Sequence, residues 1–353
     1  MEKTNNLPKT HGTMNRRSFL KLSGVLGLGL ASAGVLPAPA EAVKFNRKTY
    51  KISRTRLAMG TIVSMTLIHS SKDQAQEAIS LSFEEIDRLT RMMSRFDNAT
   101  AVAQLNREGF LKDIPPEMAN VVGSALKYHR LSNGTFDISV KPVVDLFKER
   151  FAGRKTTPPS EKDLKQVLKL VGSDNIELDG HTIRFRKPGM GITLDGIAKG
   201  YIVDRASKIL VDHKIDNHLI NAGGDIRTMG VRNDKKPWSV AIQDPVKKKQ
   251  YPDIIHMTNG AIATSGNYEI YFDREKMFHH IVNPATGLSP ELSTSVSVLA
   301  KTAMDADALS TSIFVMNPIP GTRFIDSIPN CESLIVAKEG EVFKSAQWKS
   351  TTA

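Results

Sequence analysis

Apolar residues recur at helical spacing between positions 74 and 93, and this is the most regular pattern in the chain. They lie three or four residues apart, so they share one face of a helix. They are Ala75, Ile79, Phe83, Ile86, Leu89 and Met93. The spacing predicts a long amphipathic helix that contributes to the core and follows a strand over residues 61–68.

Polar and glycine signals mark further element boundaries. Residues 116–131 predict a second helix, because Ser-Asn-Gly follows them as a C-terminal signal. Ser160 and Asp163 have the spacing of a capping box, which predicts a helix ending near Gly172. An Asp-Gly turn inside residues 176–186 predicts a hairpin.

The second half of the chain alternates predicted strands and helices. Helices are expected over about residues 196–212 and 303–316, the first directly after a strand at 192–194. Further strands are expected at residues 219–220, 238–242, 294–299, 334–337 and 341–345. This order predicts an α+β or mixed α/β fold, with mixed sheets flanked by helices.

The N-terminus has the pattern of an export signal. Arg16 and Arg17 precede an apolar run at residues 22–36 that is diluted by Gly and Ser and is too short to span a bilayer. Ala-x-Ala sequences follow it within residues 38–42. The combination indicates a twin-arginine (Tat) signal peptide over residues 1–42, and thus a periplasmic protein.

The rest of the chain, residues 43–353, is expected to form one domain without a stable membrane anchor. The only cysteine, Cys331, cannot form an internal disulfide, and no cysteine follows the apolar run as a lipid attachment point. The net charge of +11 is spread out, with Lys247-Lys248-Lys249 as the one basic run. Nucleic-acid binding is therefore not expected, although a positive field would attract anionic nucleotides.

Two glycine-containing segments follow predicted strands. Residues 193–201 read Thr-Leu-Asp-Gly-Ile-Ala-Lys-Gly-Tyr, where small residues would let a ligand approach a helix N-terminus that favours phosphate. Residues 221–225 read Asn-Ala-Gly-Gly-Asp. Each pattern is equally compatible with a structural role, as tight packing in the first case and as a turn of positive φ in the second.

A third segment, residues 305–311, places an acid and two hydroxyls on one helix face. Asp307, Ser310 and Thr311 are spaced i, i+3 and i+4, and such oxygen atoms suit a hard divalent cation. A buried structural carboxylate is the alternative for Asp307. Asp305 lies off this face and is expected to cap the helix.

Two adjacent histidines form a fourth candidate. His279 and His280 would point to opposite faces of a strand, so only one of them can belong to a site. No HExxH or paired-cysteine spacing is present, which argues against zinc.

Together these segments resemble the ApbE family, the FAD:protein FMN transferases. The resemblance covers nearly all of residues 43–353, and its motifs occur in the family's order. They read Met-Gly-Thr at 59–61, Met-Ser-Arg-Phe at 93–96, Gly-Thr-Phe-Asp-Ile-Ser-Val-Lys-Pro at 134–142, and the two segments at 195–201 and 221–225. They continue with Thr-Ser-Gly-Asn-Tyr at 264–268, His-Ile-Val-Asn-Pro with Thr-Gly at 280–287, and Ala-Asp-Ala-Leu-Ser-Thr at 306–311.

The resemblance implies a two-lobed fold whose cleft binds FAD as substrate. The residues implied to contact the flavin nucleotide are Met59, Phe96, Thr135, Phe136, Asp137, Thr193, Asp195, Lys199 and Ile281. Those implied to hold Mg²⁺ on the pyrophosphate are Asp307, Thr311, the Gly196 carbonyl and, with variation within the family, Ser310.

Two departures from the family pattern affect the expected contacts with FAD. Many relatives have Asp where Thr193 stands, and here the carboxylate is Asp195, two residues on. Relatives also commonly have Asp where Asn283 stands.

The expected reaction attaches FMN to a Thr or Ser hydroxyl of an exported FMN-binding client protein of an electron-transfer system. AMP leaves in the same step. His280 is the first choice as general base, since a histidine ordinarily has a pKa of about 6.5. Lys199 is expected to steady the phosphates, and replacement of His279 is expected to be near neutral.

Two other functions fit the same residues. The enzyme could hydrolyse FAD to FMN and AMP, with water in place of the client hydroxyl, or it could be a periplasmic flavin-binding protein without turnover. The Asp307–Thr311 pair argues against the second of these, because flavin binding alone needs no metal on a pyrophosphate. Either Mg²⁺ or Mn²⁺ would suit the site.

Overall fold

The computed structural model describes residues 41–44, 49–95, 97–152, 157–232, 235–243, 245, 251–267 and 278–349. Its helices are α1 (Lys72–Met93), α2 (Ala101–Glu108), α3 (Pro116–Leu131), α4 (Lys141–Arg150), α5 (Glu161–Leu168), α6 (Ala198–Asp212), α7 (Ala303–Val315) and α8 (Pro318–Asp326). The first strands are β1 (Glu41–Lys44), β2 (Tyr50–Ala58), β3 (Thr61–His69), β4 (Phe110–Leu111), β5 (Ile176–Asp179), β6 (Thr182–Phe185) and β7 (His218–Ala222). They are followed by β8 (Asp225–Met229), β9 (Trp238–Ala241), β10 (Ile254–Met257), β11 (Gly260–Gly266), β12 (Ser293–Ala300), β13 (Glu332–Ala337) and β14 (Val342–Lys344).

A nine-stranded sheet organises the fold. Its strand order is β1-β2-β3-β7-β8-β11-β12-β13-β14, and every pairing in it is antiparallel. Smaller sheets pair β9 with β10, and β6 with both β4 and β5. Antiparallel sheets with helices packed on them make this an α+β fold, which confirms the predicted class.

The large sheet buries both of its faces. One face packs against α1, α6 and α7, and the main core there includes Phe83, Val203 and Leu309. The opposite face packs against β9 and β10 around Trp238 and Met257. Successive residues of a strand point to opposite faces, so each strand contributes to both cores.

Helix α7 is buried almost all round. Its apolar residues Leu309, Ile313 and Phe314 are at most 1% exposed, and they fill the space between the sheet and α6. The polar side chains of Asp307 and Ser310 are therefore enclosed as well, at 5% and 0% exposure. Buried polar groups need partners or a ligand, so this helix is where chemistry is expected.

A smaller apolar cluster lies beside the main core. It joins Val144 and Phe147 of α4 to Val282, with Phe151 and Phe278 packed against it. The rings of Phe147 and Phe278 have centroids 5.1 Å apart. This cluster holds the segment that contains the two histidines against α4.

Most predicted elements are present, and four differ. Residues 192–194 do not form a strand, because their backbone bonds to Asn106 and Ile138 instead of to a neighbouring strand. Helix α6 accordingly begins at Ala198, two residues later than expected. Helix α5 ends at Leu168, short of Gly172, although its capping box is present.

The cap of α7 also differs. Thr302 caps the helix by accepting a hydrogen bond from the Asp305 amide, whereas the Asp305 carboxylate accepts the hydroxyl of Tyr128. Asp305 therefore ties α7 to α3. Strand β1 spans the predicted boundary at residue 42, and residues 1–40 lie outside the described part of the chain. Among the described residues, no helix combines the length and apolar character of a membrane span.

Candidate active site

A cleft opens at one end of the large sheet. Its wall comes from segments far apart in sequence, including the loop before α6, the end of β11 and α7. The predicted site residues that line it are Thr135, Phe136, Asp137, Thr193, Asp195, Gly196, Lys199, His280, Ile281, Asp307 and Thr311. The fold thus brings together eleven residues that the sequence analysis had singled out.

Two predicted site residues stand apart from this wall. Met59 lies in the β2–β3 turn with a φ of 53° and packs against the main core. Ser310 is fully buried behind the wall, where its hydroxyl contacts Ser265 at 2.8 Å and donates to the Asp307 carbonyl at 3.0 Å. Phe96 lies outside the described residues.

Asp137 supports the segment that carries Thr135 and Phe136. Its buried carboxylate accepts hydrogen bonds from the Ser139 amide at 2.7 Å and from the Ser173 amide at 3.0 Å and hydroxyl at 2.6 Å. Nδ1 of His129 lies 3.2 Å away. Burial alone would raise the pKa of Asp137, but these partners hold that pKa below its ordinary value.

The pKa of His129 shifts in the opposite direction, upward. Its hydrogen bond to Asp137 raises the pKa of the imidazole despite the cost of burial. The His129–Asp137 pair therefore favours the charged form of both partners. The Asp137 carboxylate is committed to this network, so its contribution to the cleft is to fix the backbone of residues 135–137.

Asp195 lies at the cleft with about half of its carboxylate exposed. Arg95, from the loop after α1, donates to it through both Nε and a terminal nitrogen. Thr193 lines the same wall, and its hydroxyl accepts the Asp195 amide at 3.3 Å. Thr193, one of the two positions that differ from the expected pattern, therefore lies beside the carboxylate of Asp195 in the site.

Lys199 brings a positive charge into the cleft. It is the second residue of α6, and its Nζ lies 3.6 Å from Oδ1 of Asp225. Asp225 begins β8 directly after the Gly223-Gly224 turn and is 1% exposed. The buried carboxylate fixes the ammonium group beside the N-terminus of α6, where the lysine offers a cation to phosphate oxygens.

Asp307, Thr311 and Gly196 form an oxygen-rich corner of the cleft. A β-carbon placed on Gly196 would lie 3.0 Å from Oγ1 of Thr311, so the glycine backbone reaches the helix face directly. Oδ2 of Asp307 accepts the Gly200 amide at 3.1 Å, and Oγ1 of Thr311 lies 3.2 Å from the Ser265 hydroxyl.

This donor set fits a hard divalent cation. It contains one carboxylate, one hydroxyl and one backbone carbonyl, all oxygen ligands of the kind that Mg²⁺ prefers. The described residues contain no cluster of three or more His, Cys, Asp or Glu side chains that could hold a metal ion by themselves. A cation here would therefore share its coordination with substrate phosphates, as Mg²⁺ commonly does.

His280 and His279 occupy different environments, as predicted. His280 lines the cleft, whereas His279 is 3% exposed and its Nε2 lies 3.0 Å from the Pro290 carbonyl. Burial lowers the pKa of His279 to about 4. The two residues form a bridge and a bend, not a continuous strand. Because His279 is packed against Phe314, the expectation that its replacement is near neutral does not extend to stability.

The sequence analysis missed several residues of the site. Asp225 belonged to a quoted motif, but its glycine pair was the only feature considered. Arg95 and Ser265 were also inside quoted motifs and were given no role. Val282 of the apolar wall was likewise inside a quoted motif and was given no role, whereas Val144 carried no local signal.

The cleft therefore has two chemical sides. Phe136, Ile281 and Val144 offer apolar surface that suits a planar ring, while Lys199 and Asp307 offer a cation and a metal-binding carboxylate. Such a site can hold a molecule with an aromatic ring at one end and phosphate groups at the other. His280 lies on the same wall and could exchange a proton with a group bound there.

Comparisons with known proteins identify the family and the fold. An FAD:protein FMN transferase of Vibrio cholerae is 30% identical over 271 residues, which cover 74% of this chain and 80% of the relative. The ApbE protein of Thermotoga maritima has the same fold, with a TM-score of 0.75 at 30% identity over 84% of this chain and 97% of that one. The flavin transferase ApbE of Vibrio cholerae has a TM-score of 0.72 at 26% identity, covering 87% and 98% of the two chains. The ApbE family model matches residues 59–335, and the chain belongs to the ApbE family.

Proposed function

We propose that this protein transfers FMN from FAD to a Thr or Ser hydroxyl of an exported client protein, in an Mg²⁺-dependent reaction that releases AMP. The observation that carries the proposal is the junction of two features in one cleft. An apolar wall around Phe136 and Ile281 adjoins the oxygen corner of Asp307, Thr311 and Gly196. In FAD, an aromatic flavin ring is likewise linked to a charged pyrophosphate, so the two parts of the molecule match the two parts of the cleft.

The proposed reaction replaces the phosphoanhydride bond of FAD with a phosphoester bond to the client. The client hydroxyl oxygen bonds to the phosphorus of the FMN half, the bond from that phosphorus to the bridging oxygen breaks, and AMP leaves with that oxygen. The hydroxyl proton is released. His280 is assigned as the base that accepts this proton, because it is the one histidine among the cleft-lining residues in the described part of the chain.

Lys199 is assigned to the phosphates. Its ammonium group is held by Asp225 at 3.6 Å, so it is positioned before substrate arrives and needs little reorganisation. The N-terminus of α6, beside this ammonium group, carries the partial positive charge of the helix dipole. Together they would stabilise negative charge on the departing AMP.

Asp307, Thr311 and the Gly196 carbonyl are assigned to Mg²⁺, and Ser310 to the layer behind them. When bound, Mg²⁺ would neutralise charge on the pyrophosphate oxygens and align them for in-line displacement. The carboxylate of Asp307 is held for this by the Gly200 amide. The same ligands suit Mn²⁺.

The proposed place of action is the periplasm, reached through the Tat system. The Arg16-Arg17 pair with its weakly apolar run supports this proposal. The proposed clients are exported FMN-binding domains of electron-transfer systems.

One experiment separates transfer from hydrolysis and from binding alone. Residues 43–353 are incubated with FAD, Mg²⁺ and a candidate exported FMN-binding domain, and the intact mass of the client and the AMP formed are both measured. Transfer predicts an FMN adduct and equimolar AMP, both absent when the acceptor hydroxyl of the client is removed. AMP without client would instead indicate FAD hydrolysis, and FAD binding without AMP would indicate a binding protein.

A further inference from the structure

Helices α6 and α7 each supply a carboxylate that accepts hydrogen bonds from backbone amides in the first turn of the other helix. Asp204 of α6 accepts the Ala303 amide on Oδ1 and the Met304 amide on Oδ2, both at 2.9 Å. In return, Asp307 of α7 accepts the Gly200 amide of α6 at 3.1 Å. Amides in a first helical turn have no partner within their own helix. Each helix thus supplies a carboxylate to the other.

The two helices touch at Gly200. A β-carbon there would lie 2.2 Å from the Ala303 carbonyl oxygen and 2.8 Å from the Met304 Cα, so no side chain fits. Because backbone meets backbone at this point, the separation of the helices is fixed by contact. Their relative rotation and register then depend on the hydrogen bonds on either side.

Asp204 is also tied to the large sheet. Nε of Arg227, on β8, lies 3.7 Å from its Oδ1, and Arg227 also donates to the Lys301 carbonyl just before α7. Arg227 is two residues from Asp225, the partner of Lys199. The same strand therefore places both the lysine and the start of the metal-binding helix.

We propose that Asp204 is a positioning residue for the metal site: it holds the first turn of α7 so that Asp307 and Thr311 face Gly196. Asp204 is absent from the cleft wall and acts through the amides of Ala303 and Met304. The inference rests on the proposed assignment of Asp307 and Thr311 to Mg²⁺.

The free-energy cost of burying the Asp204 carboxylate supports a role beyond capping helix α7. Thr302 already caps α7 in the ordinary way. Burial raises the pKa of Asp204 to about 6, even though two amides and Arg227 favour its charged form. A buried charge that costs stability is commonly retained where it supports a functional site.

The test measures metal binding separately from turnover. Mn²⁺ is titrated into the full chain, with and without ADP as a pyrophosphate probe, and free Mn²⁺ is followed by its EPR signal. Asp204→Ala and Asp204→Asn are compared with wild type, and Asp307→Ala defines the binding that belongs to the site. Groups that orient metal ligands typically contribute 10- to 100-fold in affinity, so about this loss is expected for Asp204→Ala.

Asp212→Asn is the matched control. It removes the same charge from the same helix, but at an exposed position paired with Lys208 at 2.9 Å. Its Mn²⁺ affinity should equal that of wild type. In transfer assays, Asp204→Asn should raise the Mg²⁺ concentration for half-maximal rate, and saturating Mg²⁺ should restore most of the rate.

The outcomes separate the inference from the proposed function. A folded Asp204 variant with wild-type Mn²⁺ affinity, or with a lower rate at unchanged Mg²⁺ dependence, overturns the positioning role. If Asp204→Ala does not fold, Asp204→Asn, which retains one acceptor oxygen, provides the same comparison. Wild type without Asp307-dependent Mn²⁺ binding overturns the metal assignment itself, before any Asp204 variant is examined.

Discussion

Arg95 donates two hydrogen bonds, of 3.0 and 2.8 Å, to the same oxygen of Asp195. The arginine side chain is 8% exposed and the carboxylate 46%, so the pair runs from the protein interior to the cleft. It connects the loop after α1 to the loop before α6. Because residues 192–194 form no strand, this ion pair helps determine where Asp195 lies.

Asp195→Asn is expected to weaken FAD binding more than it weakens the fold. Loss of one charge-assisted hydrogen bond between the Asp195 carboxylate and FAD should raise the apparent KM for FAD roughly tenfold, with little change in kcat. The melting temperature should fall only slightly, because the Asp195 carboxylate is half exposed and asparagine keeps an oxygen that can accept a hydrogen bond from Arg95. Asp145→Asn is the control, because Asp145 is similarly exposed and pairs with Lys141 away from the cleft wall. Equal effects of both variants on KM would show a general charge effect.

Asp307→Ala is expected to abolish Mg²⁺-dependent FMN transfer. Asp307 is the only charged ligand assigned to the metal, and the other donors are neutral. FAD binding, measured by flavin fluorescence, should persist through the apolar wall. Ser310→Ala should retain the Mg²⁺ dependence, because its hydroxyl contacts Ser265 and not the cleft. Transfer by Asp307→Ala at ordinary Mg²⁺ concentrations would place the metal elsewhere, and a raised Mg²⁺ requirement in Ser310→Ala would make Ser310 a ligand.

Asp137→Asn is expected to destabilise the fold by about 2 kcal/mol or more, since a buried network built around a carboxylate loses its charge. The pKa of Asp137 is lowered in the folded state, so its stabilising contribution is present above its ordinary pKa and is lost as pH falls. The variant should therefore differ most from wild type at neutral pH and least in acid. Urea unfolding at several pH values measures this.

Asp174→Asn is the control for Asp137. Asp174 also lies near His129, at 3.6 Å, but its side chain is 82% exposed. Its removal should change the unfolding free energy by only a few tenths of a kcal/mol. A loss as large as that of Asp137→Asn would mean that the charge near His129, and not the buried network, stabilises this segment.

The helical part of the fold could be predicted because its signals are local. The spacing of Ile79, Phe83 and Ile86 identifies the buried face of α1, and Ser160 with Asp163 identifies the start of α5. Residues 192–194 misled the prediction because an apolar run looks the same whether its backbone bonds to a strand or to side chains. Here the Asn106 side chain makes both bonds to Ile192.

The site was predictable only as far as its motifs extend. Asp307 and His280 were predicted because their spacing or residue type suits metal binding or proton transfer, and both line the cleft. Asp225 was missed because a Gly-Gly turn explains its motif equally well, and only the fold brings Lys199 to it. The role of Asp204 needed the packing of α6 on α7, which no local pattern contains.

Changing Arg16 and Arg17 to Lys is expected to trap the precursor in the cytoplasm. Tat recognition reads the arginine pair, and lysine preserves the charge without preserving that signal. Cell fractionation and immunoblotting measure the periplasmic yield. Changing Lys3 and Lys9 to Arg is the control, because it also exchanges two basic residues and leaves the arginine pair intact. Normal periplasmic yield from the Arg16/Arg17 variant would exclude the Tat route.

The two adjacent histidines should affect different properties. His280→Ala is expected to slow FMN transfer by about 10²-fold or more, the usual contribution of a general base. His279→Ala should leave the rate constant of the folded enzyme nearly unchanged and lower its stability by about 2–4 kcal/mol, since it removes a buried ring and its hydrogen bond to the Pro290 carbonyl. Transfer rates at saturating FAD and thermal melts measure the two effects.

The stability effect of His279 should also depend on pH. Its pKa is lowered to about 4 in the folded state, so between the ordinary value of about 6.5 and pH 4 the unfolded chain binds a proton that the folded chain does not. This residue therefore costs stability as pH falls through that range. His279→Asn should lose that part of the acid sensitivity.

The pH profile of transfer decides the role of His280. A general base must be neutral to accept the proton of the client hydroxyl, so the wild-type rate should fall as the pH drops through the His280 pKa. His280→Ala should lose this limb and should retain any limb that comes from another titratable group at the cleft. Those in the described part of the chain are Asp137, Asp195, Lys199, Asp225 and Asp307. If His280 only contacts the bound nucleotide, the variant should need more FAD and keep the wild-type profile. Parallel profiles at saturating FAD would therefore exclude the base role.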